Sequence, residues 1–191
     1  MEKQVNLSQV NLSIDMDGVL AKFNENLQAE ELLFEKGYFL NLEPQRNVVR
    51  ALYNVCFLDW DEDISIRPRI LSAFLTESKY ALDEKKAWLK REVPALSKNY
   101  TFCECGQSKS NFIKSTELAN RDILIDDYGV NCKSWKEAGG VYIKVSRNRK
   151  DASQERTRHK FVFSPDMSPS EIANVIKKAI NESTEKRGGA N

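Results

Sequence analysis

Short apolar runs alternate along this chain with segments whose apolar residues recur at helical spacing. The runs consist mostly of Val, Ile, Leu and aromatic residues, which is typical of buried strands. Strands that alternate with helices predict an α/β fold, in which helices cover both faces of a mainly parallel sheet. The predicted strands are VNLSID, RILSAF, YTFCEC, DILIDD and GVYIKV, and KFVFSP is a candidate edge strand.

The last predicted helix has the clearest boundaries. Ser168 is a candidate N-cap, Pro169 suits the first helical position, and Glu171 would complete a capping box. The apolar residues that follow, from Ile172 to Ile180, recur at helical spacing. Three further helices are predicted in EPQRNVVRALYNVCF, where Pro44 suits the start, in LDEKKAWLKREVP and in NCKSWKEAGG.

The composition is that of an ordinary globular protein. The 191 residues fit one domain, with 41% hydrophobic and 30% charged residues and a formal net charge of +1. No overall field therefore favours a nucleic-acid polymer or a membrane as partner. The sequence offers no apolar stretch of signal-peptide or membrane-span length, which predicts a cytoplasmic protein. The polar residues 184–191 predict a flexible tail.

The four cysteines lack the spacing of a zinc site. Cys103 and Cys105 could supply half of one, but no second Cys/His pair completes it, since His159 is the single histidine. We therefore expect reduced, buried or strand-end thiols at these positions and at Cys56 and Cys132.

Two pairs of carboxylates follow predicted strands. Asp15 and Asp17 come directly after the first strand, and Asp126 and Asp127 end DILIDD. Parallel sheets bind ligands at the carboxyl ends of their strands, near the point where the strand order reverses. Four carboxylates gathered there would repel one another unless a cation compensates them, and Mg²⁺ fits this role and favours phosphate chemistry. The alternative is that these residues form turns and helix caps, as aspartate often does.

The segment that follows the first acidic pair is too long for a simple loop. It predicts a short helix plus a turn over the strand ends, which would form a small helical cap or lid. Phe23, Tyr38 and Phe39 in this segment could stack on a nucleobase or another planar group. Packing within the cap explains the three rings equally well. The predicted division is a cap of residues 20–43 and a core of residues 1–19 and 44–183.

The acidic pairs belong to an ordered set of four motifs that resembles the haloacid dehalogenase (HAD) superfamily. DMDGVL resembles the first motif, RILSAF the second with Ser72 at the Ser/Thr position, and DILIDD the fourth. CGQSKSNFI offers Lys109 for the third motif, and Lys114 lies nearby. The set spans roughly residues 10–145. More narrowly, DMDGVLAKF, GYFLNLEP and ALDEKKAWL are similar to the 5'(3')-deoxyribonucleotidase (cytosolic C-type 5'-nucleotidase) branch.

The resemblance implies a three-layer Rossmann-like core and a covalent mechanism. Asp15 would attack phosphorus and form an aspartyl-phosphate, and Asp17 would act as general acid and then as general base. The resemblance also implies Mg²⁺ bound by the Asp15 carboxylate, the Asp17 backbone carbonyl and Asp127, with Asp126 behind them.

The resemblance further implies a set of phosphate-binding residues. Gly18 would permit the sharp turn that brings the backbone at Met16 close to the phosphate. Ser72, with Ala73 beside it, would donate its hydroxyl to a phosphoryl oxygen, and Lys109 would neutralise the nucleophile. A plain strand-end serine and a solvated lysine are the alternative interpretations.

The leading functional hypothesis is a Mg²⁺-dependent phosphatase that acts on (deoxy)nucleoside 5'-monophosphates. Because the cap is shorter than in the larger relatives that this branch resembles, sugar phosphates or other small phosphomonoesters are the alternative. A non-catalytic phosphorylatable switch is a third hypothesis. The motif order argues against that switch, since the phosphorylated aspartate of receiver domains ends a middle strand rather than the first. The chain could form a homodimer.

A basic segment, residues 144–160, follows the fifth predicted strand. It holds seven Lys or Arg residues and two acidic residues. One interpretation is a solvated connection. The other is attraction of an anionic substrate, for which a salt-sensitive KM would be the signature.

Overall fold

The centre of the protein is a parallel sheet, seen here in a computed structural model that describes residues 8–23, 27–58, 61–113 and 121–185. Six strands lie within these ranges, and every pairing between them is parallel. The strands are β1 (Ser8–Ile14), β2 (Ile64–Phe74), β3 (Tyr100–Glu104), β4 (Asp122–Asp126), β5 (Val141–Val145) and β6 (Val162–Phe163).

The strand order is β3-β2-β1-β4-β5-β6. The chain runs outward from β1 to β2 and β3, and then returns to place β4 on the other side of β1. The order therefore reverses between β1 and β4, which is where open α/β sheets form their ligand crevice. The predicted α/β fold with a Rossmann-like three-layer arrangement is confirmed, and β6 is the expected edge strand.

Helices pack on both faces of the sheet. All four predicted helices are present, and α4 is an additional short helix inside the basic segment. No helix in the described ranges has the length and apolar character needed to cross a lipid bilayer. Within the described ranges the α-helices are α1 (Arg46–Phe57), α2 (Ala81–Glu92), α3 (Gly129–Glu137), α4 (Arg149–Glu155) and α5 (Pro169–Glu185), and 3₁₀ helices span Leu27–Phe34, Leu96–Lys98 and Lys109–Phe112.

The main hydrophobic core lies between one face of the sheet and helices α1, α2 and α5. Leu12 and Ile14 of β1 are fully buried in it, together with Trp88 of α2. A smaller cluster on the opposite face joins Leu124 of β4 to Trp135 of α3. Because β1 and β4 are covered on both faces, the residues that follow them start from rigid positions.

Several element boundaries differ from the sequence-based expectation, most of all the start of β2. Strand β2 begins at Ile64, before RILSAF, and includes Pro68. Pairing with β3 starts only at Ile70, so Pro68 lies where β2 has one open edge and needs no hydrogen-bond donor there. Helix α1 begins at Arg46 rather than at Pro44, which instead forms an antiparallel bridge with Ala21.

The start of α5 matches the predicted capping box. The backbone N–H of Ser168 donates to the Glu171 carboxylate at 2.8 Å, and the backbone N–H of Glu171 donates to Oγ of Ser168 at 3.3 Å. The helix continues to Glu185, so the first two residues of the expected tail are helical. Residues 186–191 lie outside the described residues.

Candidate active site

The acidic site is built where the strand order reverses. Asp15 follows β1, and its backbone N–H donates to the carbonyl of Ile125 in β4 at 3.0 Å, which ties the two strand ends together. Carboxylate oxygens of Asp15, Asp126 and Asp127 lie within 4.8 Å of one another. Three of the four predicted acids therefore converge closely enough to share one cation.

Lys109 reaches this group from the 3₁₀ helix after β3. Its ammonium lies 2.9 Å from Oδ1 of Asp15 and 2.7 Å from Oδ2 of Asp126, and the side chain is buried. Burial alone would lower the pKa of Lys109, but the two carboxylates raise it above its ordinary value. Lys109 is therefore a permanent cation between two of the three acids. The other candidate, Lys114, lies outside the described residues.

Asp126 and Asp127 have different surroundings. Asp126 accepts hydrogen bonds from Lys109, from Nδ2 of Asn131 at 3.0 Å and from the backbone N–H of Tyr128 at 2.8 Å. The carboxylate of Asp127 accepts none from the part of the chain that the structure describes.

The surroundings of these two residues also shift their pKa values by different amounts. Burial, followed by the charge of Asp15, raises the pKa of Asp126 to about 6. Burial, followed by the charges of Asp15 and Asp126, raises the pKa of Asp127 to about 8. Asp127 is thus the acid whose charge is least compensated, and it would gain most from a bound cation.

The turn after β1 requires glycine at position 18 for two reasons. Gly18 has a φ of 72°, in the left-handed region, and its N–H donates to the carbonyl of Ala21 at 2.9 Å. A Cβ at Gly18 would also lie 2.0 Å from Oδ2 of Asp127. Within the same turn the backbone N–H of Met16 donates to Oδ1 of Asp15 at 2.8 Å. The second oxygen of Asp15 accepts no hydrogen bond from the described residues.

Ser72 lies at the carboxyl end of β2, level with this turn. Since Ile70 pairs with Ile14, Ser72 is two positions further along, beside the Asp15 turn. Its hydroxyl is fully buried and has no hydrogen-bond partner among the described residues. Buried hydroxyls normally have a hydrogen-bond partner, so Oγ of Ser72 is available to a bound ligand or water.

Lys85 is a residue of the site that the sequence interpretation missed. This buried lysine of α2 contacts Oδ2 of Asp17 and the backbone carbonyl of Ala73. Burial raises the pKa of Asp17, Lys85 opposes that rise, and the charge of Asp15 adds to it. The other oxygen of Asp17 is buried and accepts no hydrogen bond from the described residues. Asp17 is therefore held in place through one oxygen and left open at the other.

The sequence does contain a feature that could have identified Lys85, which is its position in the apolar stripe of the predicted helix. It lies between Ala81 at i−4, Trp88 at i+3 and Leu89 at i+4, and all three are buried. A lysine within an apolar stripe needs a partner when the stripe is buried. The pattern could therefore have identified Lys85, although it could not have named Asp17 as the partner.

The three aromatic residues of the segment after β1 form one chain of edge-to-face contacts. The ring centroids of Phe23 and Tyr38 are 6.3 Å apart, and those of Tyr38 and Phe39 are 5.0 Å apart. Phe39 is buried, and the Lys85 ammonium lies 4.8 Å from its ring centroid. Of the three rings, only that of Phe23 lines the large cleft described below.

Side chains of α2 fix this segment to the core. The Glu84 carboxylate accepts hydrogen bonds from the backbone N–H groups of Gly37 at 2.5 Å, Phe39 at 3.2 Å and Leu40 at 3.3 Å. The indole N–H of Trp88 donates to the carbonyl of Leu42 at 2.7 Å. The segment from Gly37 to Leu42 is therefore anchored over the β2 side of the site.

The opposite side of the site is open. A cleft of about 1230 Å³ begins at Gly18 and Asp127 and extends past the end of β5 to α4. Lys144 of β5 lines it and donates from Nζ to the backbone carbonyls of Asp127 and Val145. The basic segment therefore borders the site, and its first lysine holds the loop that carries Asp127.

Comparison with models of known protein families and with curated proteins finds no match to this chain. The likeness to the HAD superfamily accordingly rests on the four motifs and remains a prediction.

Proposed function

We propose that the protein is a Mg²⁺-dependent phosphomonoesterase of the HAD type. One observation supports this most: Lys109 bridges Asp15 and Asp126, while the neighbouring Asp127 carboxylate has no partner among the described residues. This arrangement lies at the reversal of strand order, where α/β sheets bind ligands.

The residues present fit a magnesium ion. Among the described residues, Lys109 is the one cation that forms ion pairs with these three carboxylates, and carboxylate oxygens are the ligands that Mg²⁺ prefers. Asp15, Asp127 and the backbone carbonyl of Asp17 would hold the ion, with Asp126 behind them. When bound, Mg²⁺ would offset the negative charge of the nucleophile and of the phosphate oxygens.

The first chemical step is assigned to Asp15 and Asp17. Oδ1 of Asp15 is held by Met16 N–H and Lys109, so its free Oδ2 attacks phosphorus. The bond from phosphorus to the leaving oxygen breaks, and Asp17 gives its proton to that oxygen. The raised pKa of Asp17 favours the protonated form that this step needs.

The second step hydrolyses the aspartyl-phosphate. A water molecule attacks phosphorus and loses its proton to Asp17, and the bond between phosphorus and Asp15 breaks to release inorganic phosphate. Ser72 supplies an unpaired buried hydroxyl and Lys109 a fixed cation for the phosphoryl oxygens.

For the substrate, the proposal retains (deoxy)nucleoside 5'-monophosphates, with Phe23 available to a base at the cleft. Sugar phosphates remain the second candidate, because few apolar residues line that cleft. The proposal includes a cytoplasmic location, and the free thiols of all four cysteines support a reducing compartment.

Phosphate release with Mg²⁺ from nucleoside monophosphates and sugar phosphates tests the proposal. We expect turnover that a chelator stops, that is lost in Asp15→Asn, and that persists in Asp83→Asn, whose side chain is 88% exposed. One phosphate bound per chain without turnover would instead favour the switch hypothesis.

A further inference from the structure

The open cleft is larger than removal of one phosphate requires. Its volume of about 1230 Å³ exceeds the range of about 300–1,000 Å³ usual for small-molecule sites. It begins at Gly18 and Asp127, beside the reacting group, and continues along the basic segment to Arg147 and Arg158. The part of a substrate beyond the scissile phosphate could therefore extend into it.

The lining of the cleft suits a hydrophilic ligand. Apart from Gly18, only Phe23, Val145 and Pro165 contribute apolar side chains, and the other lining residues are polar or charged. Apolar and aromatic side chains predominate in most small-molecule sites, so this polar and charged lining favours a ligand that carries charge itself.

The acids of the cleft already have partners. Glu155 accepts a hydrogen bond from Oγ of Ser146 and lies 3.9 Å from the Lys144 ammonium. Asp151 lies 3.4 Å from Nε of Arg147. In the proposed function, Asp127 belongs to the metal site. The acids therefore leave little uncompensated negative charge along the cleft.

The cations of the cleft are less fully engaged in ion pairs than its acids are. Arg158 is exposed, and its guanidinium has no ion-pair partner among the residues that the structure describes. Arg147 and Lys22 do pair, with Asp151 and Glu43, but their side chains are 74% and 59% exposed. Exposed pairs of this kind contribute little free energy, so both cations can turn to a ligand anion, while Asp151 keeps its hydrogen bond from Nδ2 of Asn148 and Glu43 stays exposed to solvent.

The geometry points to a binding site for a second phosphate group, carried by the part of the substrate that leaves. Arg158 and Arg147 supply guanidinium groups, which bind phosphate through paired hydrogen bonds, and Lys22 adds a third cation. This inference rests on the proposed function, because it places the scissile phosphate at Asp15. The substrate class is a bisphosphate, either a nucleoside bisphosphate or a sugar bisphosphate.

Paired substrates test the inference. We compare kcat/KM for a nucleoside 5'-monophosphate with that for its 3',5'-bisphosphate, and for a sugar monophosphate with that for its bisphosphate. We expect a preference of about tenfold for the bisphosphate of one pair, because a charge-assisted contact is made only there. The pair that shows the preference identifies the source of the second phosphate.

Single variants locate the effect. Arg158→Ala should reduce kcat/KM for the bisphosphate about tenfold more than for the monophosphate. Arg156→Ala is the matched control, since this exposed arginine of the same segment does not line the cleft. A monophosphate preference in both pairs, or an equal loss for both substrates in Arg158→Ala, would overturn the inference.

A binding measurement separates this inference from the proposed function. Calorimetry with Asp15→Asn and Mg²⁺ compares the monophosphate and the bisphosphate without turnover. If the wild type hydrolyses nothing, the proposed function fails, but tighter binding of the bisphosphate that Arg158→Ala removes would still support the second-phosphate site. Equal affinities of Asp15→Asn for the two compounds would refute it.

Discussion

The two sides of the candidate site differ in how completely their charges are satisfied. On the closed side, over β2, side chains of α2 hold both Asp17 and the segment from Gly37 to Leu42. On the open side, beyond β4, the Asp127 carboxylate has no partner among the described residues and borders a cleft of about 1230 Å³.

This difference separates the fixed parts of the chemistry from the variable ones. A general acid needs a constant position, which a buried lysine and an anchored segment provide on the closed side. A metal and a leaving group must enter and leave, which the open side allows. Variants on the closed side should therefore alter chemical steps, while conditions that change charge on the open side should alter metal binding.

Of the variants that keep Asp15 and Asp17, the one that removes Lys109 should have the largest effect, because this residue connects the two sides. In Lys109→Met we expect kcat to fall by about 10³-fold, since a fixed cation at the reacting oxygens is removed. Removing one partner of a buried ion pair should also lower the free energy of unfolding by about 3–5 kcal/mol. Steady-state kinetics and denaturant unfolding measure the two effects.

The metal distinguishes the two consequences of Lys109→Met. Mg²⁺ should recover part of the lost stability, because it compensates the same carboxylates, but it should not restore turnover. The control is Lys133→Met, whose lysine side chain is 79% exposed. Activity of Lys109→Met within tenfold of the wild type would contradict the assigned role.

Lys85→Met should have the next largest effect and tests the closed side directly. Lys85 lowers the pKa of Asp17, so its removal should raise that pKa further. We expect kcat to fall by about 10²-fold, because Asp17 loses the contact that positions its carboxyl, and we expect the limb of the pH profile that Asp17 controls to move to higher pH. Lys86→Met is the matched control on the same helix, and a parallel loss without a shifted limb would indicate a purely structural role for Lys85.

The sequence identified the residues whose roles are local to one motif. Asp15, Asp126 and Asp127 end predicted parallel strands, so their convergence followed from the strand pattern and the reversal of strand order. The need for glycine at position 18 was also predictable, because the chain turns sharply directly after the first acidic pair. Lys109 could be named only through the family resemblance, because nothing in its own segment fixes where its side chain points.

The remaining features depend on how separate elements pack. Lys85 reaches Asp17 across 68 positions of sequence, and that contact depends on the rotation of α2 against β1. Strand β2 was predicted too short because Pro68 interrupts its apolar pattern, although an open edge tolerates proline. Helix α4 lies in a highly charged stretch, where an apolar periodicity is too weak to indicate a helix.

The open side should make Mg²⁺ binding depend on pH. In the metal-free fold the pKa of Asp127 is raised from 3.8 to about 8. The folded protein therefore keeps a proton that the unfolded chain has lost, and its stability falls as pH rises between these two values. Mg²⁺ must displace that proton, so its apparent affinity should rise up to about tenfold per pH unit below pH 8 and level off above it.

Calorimetric titration of Mg²⁺ at pH 6, 7 and 8 measures this dependence. Asp127→Asn should bind Mg²⁺ more weakly and with a flatter pH dependence, because the titrating carboxyl is absent. An affinity in the wild type that stays constant from pH 6 to pH 8 would show that Asp127 is already ionised in the metal-free protein.

Glu84→Gln should have the smallest effect and tests whether anchoring on the closed side matters for catalysis. In the wild type, both carboxylate oxygens of Glu84 accept hydrogen bonds from backbone N–H groups. The glutamine amide keeps one acceptor oxygen, but its NH₂ group is a donor and cannot replace the other. We expect a loss of about 1 kcal/mol in the free energy of unfolding and faster hydrogen exchange at Gly37, Phe39 and Leu40. Because Phe39 packs against Lys85, the looser segment should also lower kcat, by about threefold.

The matched control is Asp83→Asn, at the neighbouring exposed position, which should leave stability, hydrogen exchange and kcat unchanged. Unchanged hydrogen exchange in Glu84→Gln would show that Trp88 and the other contacts of α2 suffice to hold the segment.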